Sequence, residues 1–443
     1  MLLLLFRLLL AASAGGSAVA SATRPNLVLI LADDLGYGDL SVQGGEIRTP
    51  HLDSLARDGA RFEAFYAAAP VCTPSRYGLL TGRHPVRSAD QLLSPLMFLQ
   101  PRDDRRGLRS HEVSLARVLR ERGYHTALIG KWHLGHGETG FLPRQHGFDY
   151  TYGCHGGAID FLTRRYGDKP DWFRQGEPVV EEGYVTDLLT DEAVKWLRAR
   201  RQAEPFFLYL AHTAPHYGKG WDPATRQPTN ILQAKPADRD RNSHVADARR
   251  REYAGMVSAL DDGVGRVLAA LREANLDANT LVIFTSDNGG DLDYGGHNGA
   301  LRGEKSQLFE GGIRVPCLMR WPGQIAPGRI IREAATGLDV FPTCAELAGA
   351  DVRPLYLDGT SLAPLLRGHP GPDGGRALFW ATPRTGAVRR GAWKYVADAG
   401  RDHLFHLERD PRESNDLAAA EPTRLAALRE LYNTWRRDAT PAR

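Results

Sequence analysis

Cysteine is scarce in this chain: four residues in 443, at Cys72, Cys154, Cys317 and Cys344. So few in so long a chain exclude a disulfide scaffold. No two stand at C-x-x-C spacing, which argues against a thiolate zinc site. An excess of charge of one sign is also missing. Lys and Arg number 56 against 53 Asp and Glu, a formal net charge of +3, so the basic footprint of nucleic-acid binding is absent. That balance still permits a local basic pocket for a small anion. Long apolar runs are missing too, apart from one at the start. Met1 to Leu10 is almost all leucine, broken by Arg7, and is shorter than the ~20 residues a bilayer crossing needs. Small residues follow, ending Ala20-Ser21-Ala22. An apolar stretch before an A-x-A site predicts a secretory signal peptide over residues 1–22, with Thr23 as the mature N-terminus. The expectation is a secreted or periplasmic protein with no membrane attachment after cleavage.

What is present reads as a large globular chain. Hydrophobic residues make up 42% and charged residues 25%, an ordinary soluble composition. The length predicts one large domain and a smaller one. Four apolar runs have the character of strands buried on both faces: Asn26 to Leu31, Tyr124 to Ile129, Pro205 to Leu210, and Thr280 to Thr285. Between them, Ser110 to Arg122, Val185 to Arg200 and Glu252 to Ala274 carry apolar residues at helical spacing. Alternating strands and helices predict an α/β domain with a mainly parallel sheet. Such sheets bind ligands beyond the carboxyl ends of their strands. Each run here ends in polar residues: Asp33-Asp34, Gly130-Lys131, His212 and His216, and Asp287-Asn288. The expectation is that they converge on one rim.

Past Leu366 the texture changes. Gly368 to Gly375 reads as a linker. Short segments then follow, at Ala377 to Ala381, Gly386 to Arg390, Trp393 to Ala397 and His403 to Leu407, before a helical stretch at Pro422 to Arg437. They predict a small antiparallel sheet with a closing helix. The expected organisation is a main domain over 23–367 and a C-terminal α+β subdomain over 376–443.

The sharpest local pattern is Cys72-Thr73-Pro74-Ser75-Arg76, with Leu80-Thr81-Gly82-Arg83 behind it. It resembles the sulfatase signature C-x-P-x-R and its downstream T-G-R. The resemblance extends through most of the mature chain. Arg24 to Asp34 resembles the family's first strand with two metal ligands. Gly123 to Gly135, containing Gly-Lys-Trp-His, resembles its second signature. Thr285 to Gly290 resembles its second metal-ligand strand, Lys305 to Gly312 the segment carrying a substrate lysine, and Leu404 to Leu417 its C-terminal hairpin. The fold implied is the alkaline-phosphatase-like one. The resemblance also implies that Cys72 is oxidised to formylglycine by a formylglycine-generating enzyme. With Cys72 converted, at most one disulfide pair remains open to Cys154, Cys317 and Cys344.

Asp33, Asp34, Asp287 and Asn288 supply only hard oxygen donors, which favours calcium or magnesium over zinc or copper. Three crowded carboxylates would repel one another without a cation, and a divalent ion also polarises a sulfate oxygen. The resemblance implies one calcium ion, with position 72 completing its ligands. A sulfate ester is an anion, so its transfer needs surrounding positive charge. Arg76, Lys131 and Lys305 are the candidates. Arg76 lies one helical turn beyond Cys72. His133, two residues past Lys131, is expected to point the same way in extended backbone. Histidines move protons near neutral pH. The resemblance gives Asp287 the activation of the nucleophile, His216 and Lys305 the departure of the alcohol, and His133 the release of sulfate. His216 is preferred to His212 by register.

Two other readings fit the same residues. One is a phosphonate or phosphodiester hydrolase of the same superfamily. The other is a catalytically silent glycan-binding homologue with unmodified Cys72. The expected substrate is a sulfated sugar or an aryl sulfate. Trp132, Trp172, Trp221 and Tyr294 are candidate stacking residues, two of them at most expected to touch substrate. The stretch from His136 to Trp172, with His146, Cys154, His155, Gly156-Gly157 and Asp160, is a candidate pocket wall or an ordinary surface loop.

Overall fold

The computed structural model describes residues 24–371 and 375–440. The expected signal peptide therefore lies outside the described residues, as does part of the Gly368 to Gly375 linker. A ten-stranded sheet dominates. From one edge its strands are Arg329–Ile331, Ala60–Phe62, Cys317–Arg320, Thr280–Ser286, Asn26–Asp33, Phe206–Pro215, His125–Lys131, Tyr150–Cys154, Phe173–Arg174 and Glu177–Pro178. The five strands from Thr280–Ser286 to Tyr150–Cys154 run parallel. Antiparallel strands flank them on both sides.

The central strands are apolar throughout because both of their faces are covered. Alternation then sorts the side chains into two cores. Val28, Ile30 and Ala32 pack with Leu208, Leu210, Val282 and Phe284 under the helices Val185–Arg198 and Ala248–Glu273. Leu27, Leu29 and Leu31 pack with Phe207, Tyr209, Leu281 and Ile283 under Cys72–Thr81, Leu115–Glu121 and Val340–Leu347. The helix expected from Ser110 starts only at Leu115, because the Ser114 side chain caps it by accepting from the Arg117 N–H.

The small C-terminal sheet has four antiparallel strands, Ala377–Ala381, Gly386–Arg390, Trp393–Asp398 and Arg401–His406. One face puts Leu378, Trp380, Val396 and Phe405 against Tyr66, Leu308, Phe309 and Ile313 of the larger sheet's surroundings. The other face puts Val388, Tyr395 and Leu404 against the helix Pro422–Ala439. Lys394 is fully buried at the junction, 2.9 Å from both Glu310 and Glu413.

Candidate active site

The first strand ends in two adjacent aspartates, which in continuing extended backbone would point to opposite faces. Asp34 instead takes φ +63°, and the chain turns so that both carboxylates serve one site. Its backbone N–H donates to Asp287 Oδ1 at 3.2 Å, joining the ends of two neighbouring strands. Ser286 Oγ secures this junction by accepting from the Leu35 N–H and donating to the Asn288 carbonyl. Behind it, the Tyr253 hydroxyl donates to the Asp34 carbonyl at 3.1 Å.

Cys72 opens the helix Cys72–Thr81, every residue of which is buried. Its Sγ lies 3.3 Å from Asp33 Oδ1 and 3.9 Å from Asp34 Oδ1. The side chain here is the unmodified thiol. Burial pushes its pKa well up, and the charges of Asp287 and Asp33 push it further. One turn along, Arg76 donates from Nε to Asp287 Oδ2 at 2.9 Å and from a terminal nitrogen to the Lys131 carbonyl at 3.0 Å.

Lys131 ends its strand with Nζ 2.6 Å from Asp33 Oδ2. Gly130 before it takes φ +123°, and a methyl group there would lie 1.8 Å from the Ala211 carbonyl oxygen. Only glycine lets the backbone come this close and still deliver the lysine. The extended geometry expected to carry on to His133 does not. His133 sits at φ +56°, because the chain leaves the sheet at Lys131. Its Nε2 meets the Leu96 carbonyl at 2.8 Å, and its buried Nδ1 has no partner. Burial, reinforced by the charge of Lys131, holds its pKa well below the usual histidine value. Gly157 makes room for the ring, since a methyl group there would lie 2.5 Å from His133 Cε1.

From the other side of the site, Lys305 Nζ reaches Asp34 Oδ2 at 2.5 Å and His216 Nε2 at 3.2 Å. His216 Nδ1 meets the Tyr217 carbonyl at 2.7 Å, which fixes the neutral tautomer with the proton on Nδ1. Burial and the Lys305 charge pull the His216 pKa down to about 3. Burial alone would raise the Asp34 pKa, but Lys305 and His216 outweigh it and hold the carboxyl below its ordinary value. Asp287 goes the other way, to about 6, because burial and the Asp33 charge overcome Arg76 and Lys131.

The site thus gathers Asp33, Asp34, Cys72, Arg76, Lys131, His216, Asp287, Asn288 and Lys305, with His133 at its margin. Ligand atoms of Asp33, Asp34, Cys72 and His216 all fall within 4.8 Å of one another. Asn288 Nδ2 donates to Asp34 Oδ1 at 2.7 Å, while its buried Oδ1 has no partner. An unsatisfied carbonyl oxygen beside three carboxylates is a donor set that suits a hard divalent cation. His212 is fully buried with neither ring nitrogen bonded. It makes no hydrogen bond to the gathered groups.

Of the four candidate stacking residues, Trp132 and Trp172 belong to the interior. Trp132 donates to the Phe141 carbonyl, and Trp172 packs edge-on against Tyr152. Trp221 is 40% exposed, and Tyr294 packs at a tilt against Tyr217. Within the stretch after the Lys131 strand, His146 stacks on Trp132 and His155 on Phe173. Asp160 accepts from the Leu162 and Thr163 N–H groups, and Cys154 ends the strand beside Lys131. That stretch is mostly scaffold, and Gly157 is what it brings against the site, at the His133 ring.

A model of the Sulfatase family matches residues 25–350. A model of the N-sulphoglucosamine sulphohydrolase C-terminal region matches residues 303–434. Arylsulfatase A of Bos taurus is 37% identical over 96% of this chain and 85% of its own length. Steryl-sulfatase of Mus musculus is 37% identical over 78% of this chain, which spans 65% of that longer protein. Among solved structures, Ps i-CgsB in complex with k-i-k-neocarrahexaose superposes with a TM-score of 0.85 and 33% identity, covering 95% of this chain and 94% of that one.

Proposed function

Since this chain belongs to the sulfatase family of hydrolases, we propose that it removes sulfate from a sulfated saccharide outside the cytoplasm, with position 72 as nucleophile. The single observation that carries the reading is the place of Cys72. It stands 3.3 Å from Asp33, inside a cage where Arg76, Lys131 and Lys305 face the carboxylates. The saccharide follows from Ps i-CgsB, a similar protein solved with k-i-k-neocarrahexaose.

Formylglycine at position 72 would supply a hydrated aldehyde, one hydroxyl of which displaces the alcohol at sulfur while the other expels sulfate afterwards. Asp33, Asp34, Asp287 and Asn288 would hold a calcium ion, whose charge offsets their mutual repulsion and draws electron density from a sulfate oxygen. The remaining work falls to this chain's own groups. Arg76 ties Asp287 to the Lys131 backbone, so the carboxylate and the lysine keep a fixed relation to the nucleophile. Lys131 and Lys305 bring positive charge to an anionic ester. The Lys305 ammonium, oriented by the Nε2 lone pair of neutral His216 at 3.2 Å, gives a proton to the departing alcohol oxygen. His133 keeps a free Nδ1 lone pair to accept the proton released as sulfate leaves.

The test is hydrolysis of 4-nitrophenyl sulfate and of an aryl phosphonate by protein whose Cys72 conversion has been verified by peptide mass. Turnover of the sulfate should exceed that of the phosphonate, and Cys72→Ala should reduce it by at least a thousandfold with an unchanged circular dichroism spectrum. A preference for the phosphonate, or an active Cys72→Ala protein, overturns the reading.

A further inference from the structure

The chain leaves His216 into a two-stranded hairpin, Gly218–Asp222 paired with Gln227–Ile231. Lys219 lies on its first strand, partly buried. Its Nζ donates to Asn230 Oδ1 at 2.5 Å, and Asn230 Nδ2 donates in turn to the Tyr294 hydroxyl at 2.7 Å. Tyr294 packs against Tyr217 with ring centroids 4.2 Å apart and the rings tilted by 40°, and Tyr217 lies 4.1 Å from the His216 ring. Lys305 Nζ is 5.5 Å from the centre of the Tyr217 ring. On its other side, Lys219 Nζ is 6.0 Å from the Tyr166 ring, which stands against Phe98 at 5.3 Å. One aromatic arm therefore joins Lys219 to the site through Tyr217, His216 and Lys305, and Tyr166 and Phe98 flank the lysine on its other side.

What sets Lys219 apart is the lack of a counter-ion. Lys131 and Lys305 each have a carboxylate at 2.6 Å or less, and Lys394 has two at 2.9 Å. Among the described residues Lys219 has only the amide oxygen of Asn230, and burial depresses its pKa with no carboxylate to offset it. Holding an ammonium partly out of water beside an amide oxygen and no counter-charge costs more than leaving it fully solvated. A bound anion would remove that cost, and the partly exposed rings of Tyr217 and Tyr294 offer apolar faces of a size to lie along a sugar.

We propose that Lys219 binds a second anionic group, a sulfate or a carboxylate, carried by the saccharide that bears the scissile ester. The enzyme would then be selective for polyanionic saccharides over singly charged ones. This inference rests on the sulfatase reading above.

The test measures kcat/KM, and binding by titration calorimetry, for three disaccharides: a neutral one with one sulfate, its disulfated counterpart, and a uronate-bearing counterpart with one sulfate. The proteins compared are the intact enzyme, Lys219→Met and Lys219→Arg. The intact enzyme should favour one of the doubly charged sugars by about tenfold or more. Which of the two is favoured identifies the second group. Lys219→Met should collapse that ratio toward one, and Lys219→Arg should retain most of it. An intact enzyme with no preference, or a Lys219→Met protein with the ratio unchanged, overturns the proposal. Failure of the sulfatase reading shows separately, as no turnover of 4-nitrophenyl sulfate by converted protein, and the calorimetric ratio still reports on Lys219.

Discussion

Asp171 and Asp34 are both buried carboxylates, and their surroundings send them in opposite directions. Asp171 accepts the His155 and Gly156 N–H groups at 3.0 and 2.8 Å, but burial dominates and raises its pKa to about 7. Asp34 has Lys305 at 2.5 Å and stays below its ordinary value. The raised Asp171 pKa has a definite sign in stability. Between about pH 4, where the unfolded carboxyl titrates, and about pH 7, the folded state binds the proton that the unfolded state has lost. The Asp171 contribution is therefore fully present below pH 4 and falls as pH rises through that window. Asp171→Asn should flatten the decline, with Tm at pH 7 closer to Tm at pH 5 than in the parent protein. Equal pH slopes in the two proteins would show that Asp171 does not titrate in this range. At this scale the sequence discloses the residues that end apolar runs, such as Asp33, Lys131 and Asp287, since a polar group there has few reasons other than a site. It does not disclose Lys219, Tyr217 or Tyr166. They reach one another from segments some fifty residues apart, and only the folded hairpin sets them together. Of the four candidate aromatics, expected to give two contacts at most, Trp132 and Trp172 are interior, and the sequence could not say which two, because a large aromatic suits an interior as well as a sugar.

Among the elements, the C-terminal sheet does more than cover a surface. Its loop at Glu413 holds the Lys305 segment at two points. Arg302 donates to the Glu413 carbonyl at 3.1 Å, and the Glu310 N–H donates to the Glu413 carboxylate at 2.7 Å. Lys394 lies between the two glutamates. Burial raises the pKa of Glu310, but Lys394 and nearby arginines outweigh it and bring it to about 2. Burial leaves Glu413 raised despite the same lysine. Lys394→Met should therefore strand two buried carboxylates and cost about 3 kcal/mol or more in chemical denaturation. A loss under about 1 kcal/mol would mean that water reaches the pair. The strands of this sheet were readable from short apolar segments between turn residues. The strand Tyr150–Cys154 was not, because its mixed residues on the flank of the parallel set lack the continuous apolar run of the central strands.

In the whole molecule, the proposed ion-holding residues sit at the carboxyl ends of two adjacent strands in the middle of the large sheet, between two extensive cores. Each carboxylate there also has a cationic neighbour: Lys131 for Asp33, Lys305 for Asp34 and Arg76 for Asp287. The fold should therefore survive loss of calcium while activity does not. Chelation is expected to abolish hydrolysis and lower Tm by several degrees, a loss of about 2.7 kcal/mol when the starting free calcium is one hundred times Kd. Added calcium should reverse both effects. Global unfolding on chelation, or a Tm that calcium leaves unmoved, would contradict this. The parallel sheet was legible because its strands need apolar residues on both faces, and its antiparallel flanks were not because they are short and partly polar.

Cys72 is 2% exposed, at the head of a helix with no residue at the surface. A finished molecule offers that sulfur to no other protein. The oxidation proposed for Cys72 would therefore have to reach the segment while it is still a loose thread, with chemistry first and closure second.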